Sequence, residues 1–175
     1  VTAGSWPLAI NFATKPFDDP RVRRAMHLAT NKHTVWGVIN PVFGTVLSGW
    51  HTAGSAYAPS LDELESIPGF RTDNSADIVE AKRLMAEAGY GDGFRLGMDC
   101  PNDRYVNDEA ICQAITSMLA KIGIKVNLLA QTRSKYFAKI LEKNTSMYLL
   151  GWAAFGPRDG HSTLSQLVAS DGSYN

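Results

Sequence analysis

The alternation of two apolar patterns along the chain restricts its fold more than any other feature. The segments with a period of two, which is typical of strands, are residues 8–12, 94–98 and 124–128. Residues 147–152 are apolar on both alternating faces, as a central strand covered by helices on either side would be. Helical periodicity over residues 108–122 and 134–143 separates the last three of these segments. Because strands that alternate with helices of this length form βαβ units, the sequence predicts an α/β fold with a mixed, largely parallel sheet flanked by helices.

Length and charge balance indicate one compact unit without a bulk electrostatic partner. A chain of 175 residues usually forms one domain, so we expect residues 1–175 to be a single unit. Its 17 basic and 17 acidic residues form no long block of one sign, which argues against a nucleic-acid groove and a polybasic membrane anchor. The longest apolar run, residues 147–155, is far shorter than the roughly 18 residues that read as a spanning helix.

In the first half of the chain, helices are indicated by single capping residues and prolines. Asp19 can cap a helix whose first turn contains Pro20, because proline's missing N–H costs nothing there. Asn31 can cap a second helix, and we expect Pro41 to end it. Residues 41–72 are rich in Gly, Pro, Ser and Ala without a clear period, so this stretch predicts long loops.

The two ends of the chain lack the features of natural termini. Residues 1–4 contain neither an initiator Met nor the start of a signal peptide, and residues 169–175 end in turn-type residues. We therefore expect the chain to have been cut from a longer one.

A binding site is expected where the parallel strands end. In open α/β sheets, ligands bind outside the carboxyl ends of the strands, because the loops diverge there and helix N-termini point amide groups at the crevice. This rule selects the loop that follows residue 99 and the loop that follows residue 152. The candidate binding residues in these loops are Asn102, Arg104, Tyr105, Trp152 and Asp159.

Two of these residues suit a ligand that carries both charges. The guanidinium group of Arg104 could hold a carboxylate through two parallel hydrogen bonds, and Asp159 could accept an ammonium group. The alternative is structural: Arg104 could pair locally with Asp103 or Asp108, and Asp159 could cap a helix that begins near His161.

Three aromatic residues could form flat walls for apolar groups of a ligand. Trp152 lies at a strand end, where it could instead pack into the core. Trp50 and Tyr57 lie in the long loop region, where they could instead be exposed anchors of the loops.

Catalytic, metal and cofactor signals are weak. Gly89, Gly91 and Gly93 follow a helix, whereas a dinucleotide fingerprint follows a strand and opens a helix. The four histidines are too scattered for a metal site, and no serine lies in a G-x-S-x-G elbow. We therefore expect no cofactor, no metal and no enzymatic activity. An α/β hydrolase or transferase that uses His161 with Asp159 is the alternative.

The two cysteines leave two possibilities open. Cys100 and Cys112 are too few for a disulfide framework and lack the paired spacing of a zinc site. They could pair if the polar connection between them folds back, or they could be free buried thiols.

Five ordered segments resemble a known family. The stretch NFATKPFDDPRVRRA at residues 11–25 resembles the N-x(n)-P-F-D-D-x-R-V-R-x-A opening of the large lobe in family 5 solute-binding proteins of ABC transporters, the peptide and nickel binders. AKRLMAEAGY at residues 81–90 is similar to the A-K-x-L-L-x-E-A-G-Y of that family, and DGF at residues 92–94 to the G-F that starts its next strand. LAKIGIKV at 119–126 and YLLGW at 148–152 follow in the family's order.

The resemblance implies a fold and a function. It implies that residues 1–175 form a periplasmic-binding-protein-like (type II) lobe, the C-terminal one of two that close over a ligand. By position, Arg104 would hold the carboxylate of a bound peptide and Asp159 its amine. The implied function is the substrate-binding component of an ABC importer, not an enzyme.

The resemblance also implies partners and a location. The whole protein would be a monomer that captures a small peptide or another polar solute and delivers it to an ABC transporter permease in the inner membrane. It would be periplasmic, or extracellular and membrane-associated in a Gram-positive source. A receptor or chaperone-like binding module without transport is a further alternative.

Overall fold

The computed structural model describes residues 6–43, 47–48, 56, 58–152, 161–167 and 169–171. In chain order, the elements of these residues are β1 (Leu8–Ile10), α1 (Pro20–Ala29), α2 (Lys32–Phe43), α3 (Leu61–Ser66), α4 (Ser75–Glu87), β2 (Phe94–Pro101), α5 (Asp108–Ala120), β3 (Ile124–Gln131), α6 (Arg133–Leu141), β4 (Met147–Leu149) and α7 (His161–Leu167). No helix among the described residues is both long enough and apolar enough to cross a membrane.

The strands form one mixed sheet in the order β1-β4-β2-β3. β2 pairs in parallel with β3 along its whole length and with β4 at Met98, opposite Met147. β1 is antiparallel to β4, with Leu8 opposite Leu149. The predicted α/β fold with a mixed, largely parallel sheet is thus confirmed.

Two apolar clusters cover the two faces of this sheet. Side chains alternate along a strand, so Met147 and Leu149 of β4 join a large cluster with residues of α1, α4 and α5. Tyr148 joins a small cluster with α6. Since every residue of β4 is buried, the structure confirms a central strand that helices cover on both sides.

The helix that precedes β2 and the loop that precedes β3 place these two strands side by side. α4 ends at a glycine in the left-handed conformation, Gly89, with φ 85°. Gly93 also has a positive φ, and a Cβ atom there would collide with the carbonyl group of Gly123. Only glycine allows this close approach of the two backbones at the start of β2 and β3.

The structure corrects the prediction of long loops over residues 41–72. α3 lies within them and begins with a capping box, in which Ser60 Oγ accepts from Glu63 N and Glu63 Oε2 accepts from Ser60 N. α2 also continues past Pro41 to Phe43. Proline keeps a helical φ and removes a single donor, so near the last turn it costs one hydrogen bond without ending the helix.

Cys100 and Cys112 form a disulfide. The alternative of free buried thiols is therefore wrong. Cys100 lies near the end of β2 and Cys112 in the second turn of α5, and the chain between them folds back so that their Cα atoms are 6.5 Å apart. Sequence spacing alone could not decide this pairing, because it depends on the path of the connecting loop.

Candidate functional site

The carboxyl ends of the parallel strands lie at one edge of the sheet. The residues that follow them are the 102–107 loop after β2, Thr132 after β3, and Gly151 and Trp152 just beyond β4. This is the edge at which the sequence places its candidate binding residues.

Neighbouring elements fix the 102–107 loop on three sides. Its hydrogen bonds to them are Asn102 N to the carbonyl oxygen of Gln131 (2.9 Å), Arg133 N to Asp103 Oδ1 (2.5 Å), and Asn107 Nδ2 to the carbonyl oxygen of Val38 (2.8 Å). The loop is thereby joined to the end of β3, the start of α6 and the middle of α2. The side chain of Asn102, a predicted ligand-binding residue, is exposed.

Asp108, the first residue of α5, holds the middle of the loop. Its side chain is 4% exposed, and its Oδ2 atom accepts hydrogen bonds from Arg104 N and Tyr105 N, both 3.0 Å long. Its Oδ1 atom accepts from Glu109 N at 2.9 Å. The carboxylate is therefore engaged by backbone amides on both oxygens. Sequence analysis considered Asp108 only as an ion-pair partner of Arg104.

The guanidinium group of Arg104 lies over the ring of Tyr105, 5.0 Å from its centroid. Arg104 is exposed, and the ion pairs of the described residues do not include it. Asp103 and Asp108 accept backbone amides, so the local pairing considered as an alternative for Arg104 does not occur. Its role as a carboxylate ligand stays a prediction.

Tyr105 connects the loop after β2 with the loop after β4. Its half-buried ring packs on the large apolar cluster and lies against the backbone of Gly151. A Cβ atom at Gly151 would lie 2.7 Å from Cδ1 of this ring and closer still to Cε1. The contact was not predicted, because neither residue carries a periodic or motif signal for it.

Trp152 lies at the same edge of the sheet as Tyr105 but packs against the other apolar cluster. It is half-buried against the small cluster of Tyr136, Ile140, Tyr148 and Leu150. The structure thus shows core packing for part of this side chain, and its role as a ligand wall stays a prediction. Trp50, Tyr57 and Asp159 lie outside the described residues, so their predicted roles stay predictions too.

A buried carboxylate that sequence analysis did not select supports this edge from the α6 face. Asp99, 2% exposed, accepts hydrogen bonds from its neighbours in β3, α6 and the segment before β4. The bonds come from Gln131 Nε2, Lys139 Nζ and Thr145 Oγ1, each at 2.7 Å. Gln131 in turn accepts the backbone bond from Asn102, so this network continues into the 102–107 loop. The signal for Asp99 in the sequence was an acidic residue within a strand.

Asp99 also borders a polar cleft of about 290 Å³ near the amino end of β4. The other lining residues are Asn11, Thr14, Gly97, Lys139, Lys143, Asn144, Thr145 and Ser146. Within the described ranges, no group of three or more His, Cys, Asp or Glu side chains is arranged to hold a metal ion.

Comparison with known proteins identifies the family. Residues 2–175 match the family described as bacterial extracellular solute-binding proteins, family 5, middle region. The chain is 28% identical over 168 residues to the glutathione-binding protein GsiB of Salmonella choleraesuis (strain SC-B67), covering 93% of this chain and 30% of that protein. The chain thus spans about 30% of the length of the curated relatives it matches.

Solved structures agree with this assignment. A dipeptide-binding protein from Pseudoalteromonas sp. SM9913, in complex with Met-Leu, is 26% identical with a TM-score of 0.66, over 86% of this chain and 29% of that one. The murein tripeptide binding protein MppA of Escherichia coli is 22% identical and has the same fold, with a TM-score of 0.78 over 99% of this chain and 33% of that one. The predicted periplasmic-binding-protein-like (type II) fold is confirmed. The chain belongs to family 5 of the bacterial extracellular solute-binding proteins.

Proposed function

We propose that this chain is the C-terminal ligand-binding lobe of a two-lobed protein that serves as the substrate-binding component of an ABC importer. The solute is a small peptide or a related polar molecule, bound between the two lobes. Membership of family 5 supports this proposal. So do the relatives, whose names refer to glutathione and to dipeptides. They are binding proteins, and none of them supports a hydrolase or transferase.

The proposal depends mainly on one observation, the position of Arg104. Its backbone is held by Asp108, and its guanidinium group lies over Tyr105 on the surface of the carboxyl edge. A guanidinium group can bind both oxygens of a carboxylate at once, and lobe closure would shield that pair from water. We assign the carboxylate of the solute to Arg104.

The remaining candidate residues complete the proposed site. Asp159 would accept the amine of a zwitterionic solute, while Trp152 and Trp50 would form walls for its apolar groups. Asn102, exposed beside Arg104, would donate to or accept from the solute backbone.

The proposed partners and location follow from the family. The chain would act with a second lobe, as a monomer, and deliver the solute to an ABC transporter permease. It would work in the periplasm, or outside the cell and attached to the membrane. A disulfide between Cys100 and Cys112 suits such an oxidising compartment.

Calorimetry on the two-lobed protein tests the assignment of Arg104. The dipeptide Met-Leu and its C-terminal amide are titrated into the wild type and into Arg104→Lys, which keeps the charge but not the planar fork. We expect the variant to bind the free acid roughly tenfold or more weakly, and to bind the amide as the wild type does.

Arg95→Lys is the matched control, because Arg95 is exposed at the opposite end of β2. It should bind both forms of the dipeptide like the wild type. If Arg104→Lys loses the acid and the amide to the same extent, or loses neither, Arg104 does not bind the carboxylate.

A further inference from the structure

Two of the three hydrogen bonds of the Asp108 side chain are directed away from its own helix. A residue that caps a helix normally accepts from amides of the first turn. Asp108 does so once, at Glu109 N, but its Oδ2 atom accepts from Arg104 N and Tyr105 N, which precede the helix. The buried carboxylate therefore joins the start of α5 to the loop that carries the proposed carboxylate ligand.

Further constraints act on the same loop from both ends. The Cys100–Cys112 disulfide joins β2 to α5 across it. Asn107 has a φ of 54°, in the left-handed region that few residues adopt, and its side chain donates to the carbonyl oxygen of Val38. The backbone of the loop is thus fixed at each end and, through Asp108, in its middle. The side chain of Arg104 extends from this fixed backbone.

A fixed loop matters for binding because the ordering of flexible groups opposes association. If the loop had to become ordered only when the solute arrived, the lost entropy would weaken the complex. A loop that is held before binding avoids that loss for the backbone from which the guanidinium group of Arg104 and the ring of Tyr105 extend.

We propose that Asp108 is a positioning residue for solute binding, which holds the backbone of Arg104 and Tyr105 so that a carboxylate meets a preformed site. This inference rests on the proposed function. Asp108 itself, buried beneath the loop, does not touch the solute. Its negative charge at the start of α5 is favourable, because the N-terminus of a helix carries partial positive charge.

Asp108→Asn in the two-lobed protein tests the proposal, with Asp77→Asn as the matched control. Asparagine keeps the shape but has one acceptor oxygen, so it cannot serve both the loop amides and Glu109 N. Asp77 is also a buried acid, 2% exposed, and accepts from Gly69 N and Arg71 Nη1, but it lies on α4. The control thus repeats the chemical change away from the loop.

The first measurement needs no solute. We expect the backbone amides of Arg104 and Tyr105 to exchange with deuterium roughly tenfold or more faster in Asp108→Asn, and at the wild-type rate in Asp77→Asn. Asp108→Ser provides a second variant, because serine keeps an oxygen at the helix start but is too short to bridge to the loop, and the same acceleration is expected. Since asparagine could keep its one oxygen on the loop amides, unchanged exchange at these two amides in Asp108→Ser would overturn the proposal.

The second measurement separates positioning from simple support of α5. For the variant, the ratio of the affinities for Met-Leu and its C-terminal amide should fall about fivefold or more, with the amide bound as before. Faster exchange with an unchanged ratio would make Asp108 a structural residue of the helix start, and the proposed function would stand. If the wild type binds neither form of the dipeptide, the assignment of a small peptide as the solute fails and the inference fails with it.

Discussion

Lys32 lies in the first turn of α2, with its ammonium group partly buried between neighbouring segments. Its Nζ atom donates to the carbonyl oxygen of His27 at 2.5 Å and lies 5.5 Å from the centroid of the Phe70 ring. Burial lowers the pKa of Lys32 to about 8, although the negative charge of Asp77 opposes this shift. The buried charge thus makes the stability of the fold depend on pH.

The sign of this dependence follows from the two pKa values. Between the folded pKa of about 8 and the unfolded pKa of 10.5, the unfolded chain binds the proton more strongly than the folded chain. The free energy of unfolding should therefore gain a contribution as the pH rises through this window. Lys32→Met removes that gain while keeping an apolar stem of similar length.

Urea unfolding at about pH 7.5 and pH 10 measures the effect. The free energy of unfolding of Lys32→Met minus that of the wild type should be lower at about pH 10 than at about pH 7.5. For Lys82→Met, at an exposed position of α4, this difference should be the same at both pH values. Equal differences between wild type and Lys32→Met at both pH values would show that Lys32 does not titrate in this window.

Single residues show where prediction from the sequence stops. The place of Arg104 followed from the rule about strand ends, and the cap of α1 followed from the pair Asp19 and Pro20, since Asp19 accepts from Arg21 N at 2.8 Å. The hydrogen bonds of Asp108 could not be predicted, because a carboxylate near an arginine can accept either from the guanidinium group or from backbone amides. Only the path of the loop decides between them.

At the scale of elements, the contact between Gly151 and Tyr105 couples the end of β4 to the loop after β2. A side chain at Gly151 would overlap the Tyr105 ring, so we expect Gly151→Ala to destabilise the fold by about 1–3 kcal/mol through overpacking. In a Tyr105→Ala background, the same change should cost less than about 0.5 kcal/mol, because its obstacle has been removed.

Gly97→Ala is the control for this double-mutant cycle, because a Cβ at Gly97 has no neighbour within 4 Å among the described residues. Its effect on the free energy of unfolding should be the same in both backgrounds. A cost for Gly151→Ala that persists without the Tyr105 ring would place the strain in the backbone of Gly151 rather than in this contact.

Elements with a strong period could be predicted, and elements defined by local bonds could not. The helical periods over residues 108–122 and 134–143 matched α5 and α6, and the apolar run over residues 147–152 matched β4. α3 was missed because its six residues are too few to show a helical period. Its S-x-x-E capping box was the signal available in the sequence.

On the scale of the whole molecule, the sheet presents one edge with an ordered, charged loop and an aromatic contact between two connections. Ligand pockets bury most of a ligand's surface, and the exposed guanidinium group of Arg104 encloses nothing by itself. The proposed function therefore requires a second surface opposite this edge, which we assign to the other lobe of the whole protein.

Calorimetric titration of Met-Leu into this chain alone and into the two-lobed protein tests the central claim most directly. We expect the chain alone to fold, as judged by circular dichroism, and to bind the dipeptide about 100-fold more weakly than the two-lobed protein or not at all, a difference of at least about 2.7 kcal/mol. Equal affinity of the folded chain and the two-lobed protein would contradict binding between two lobes.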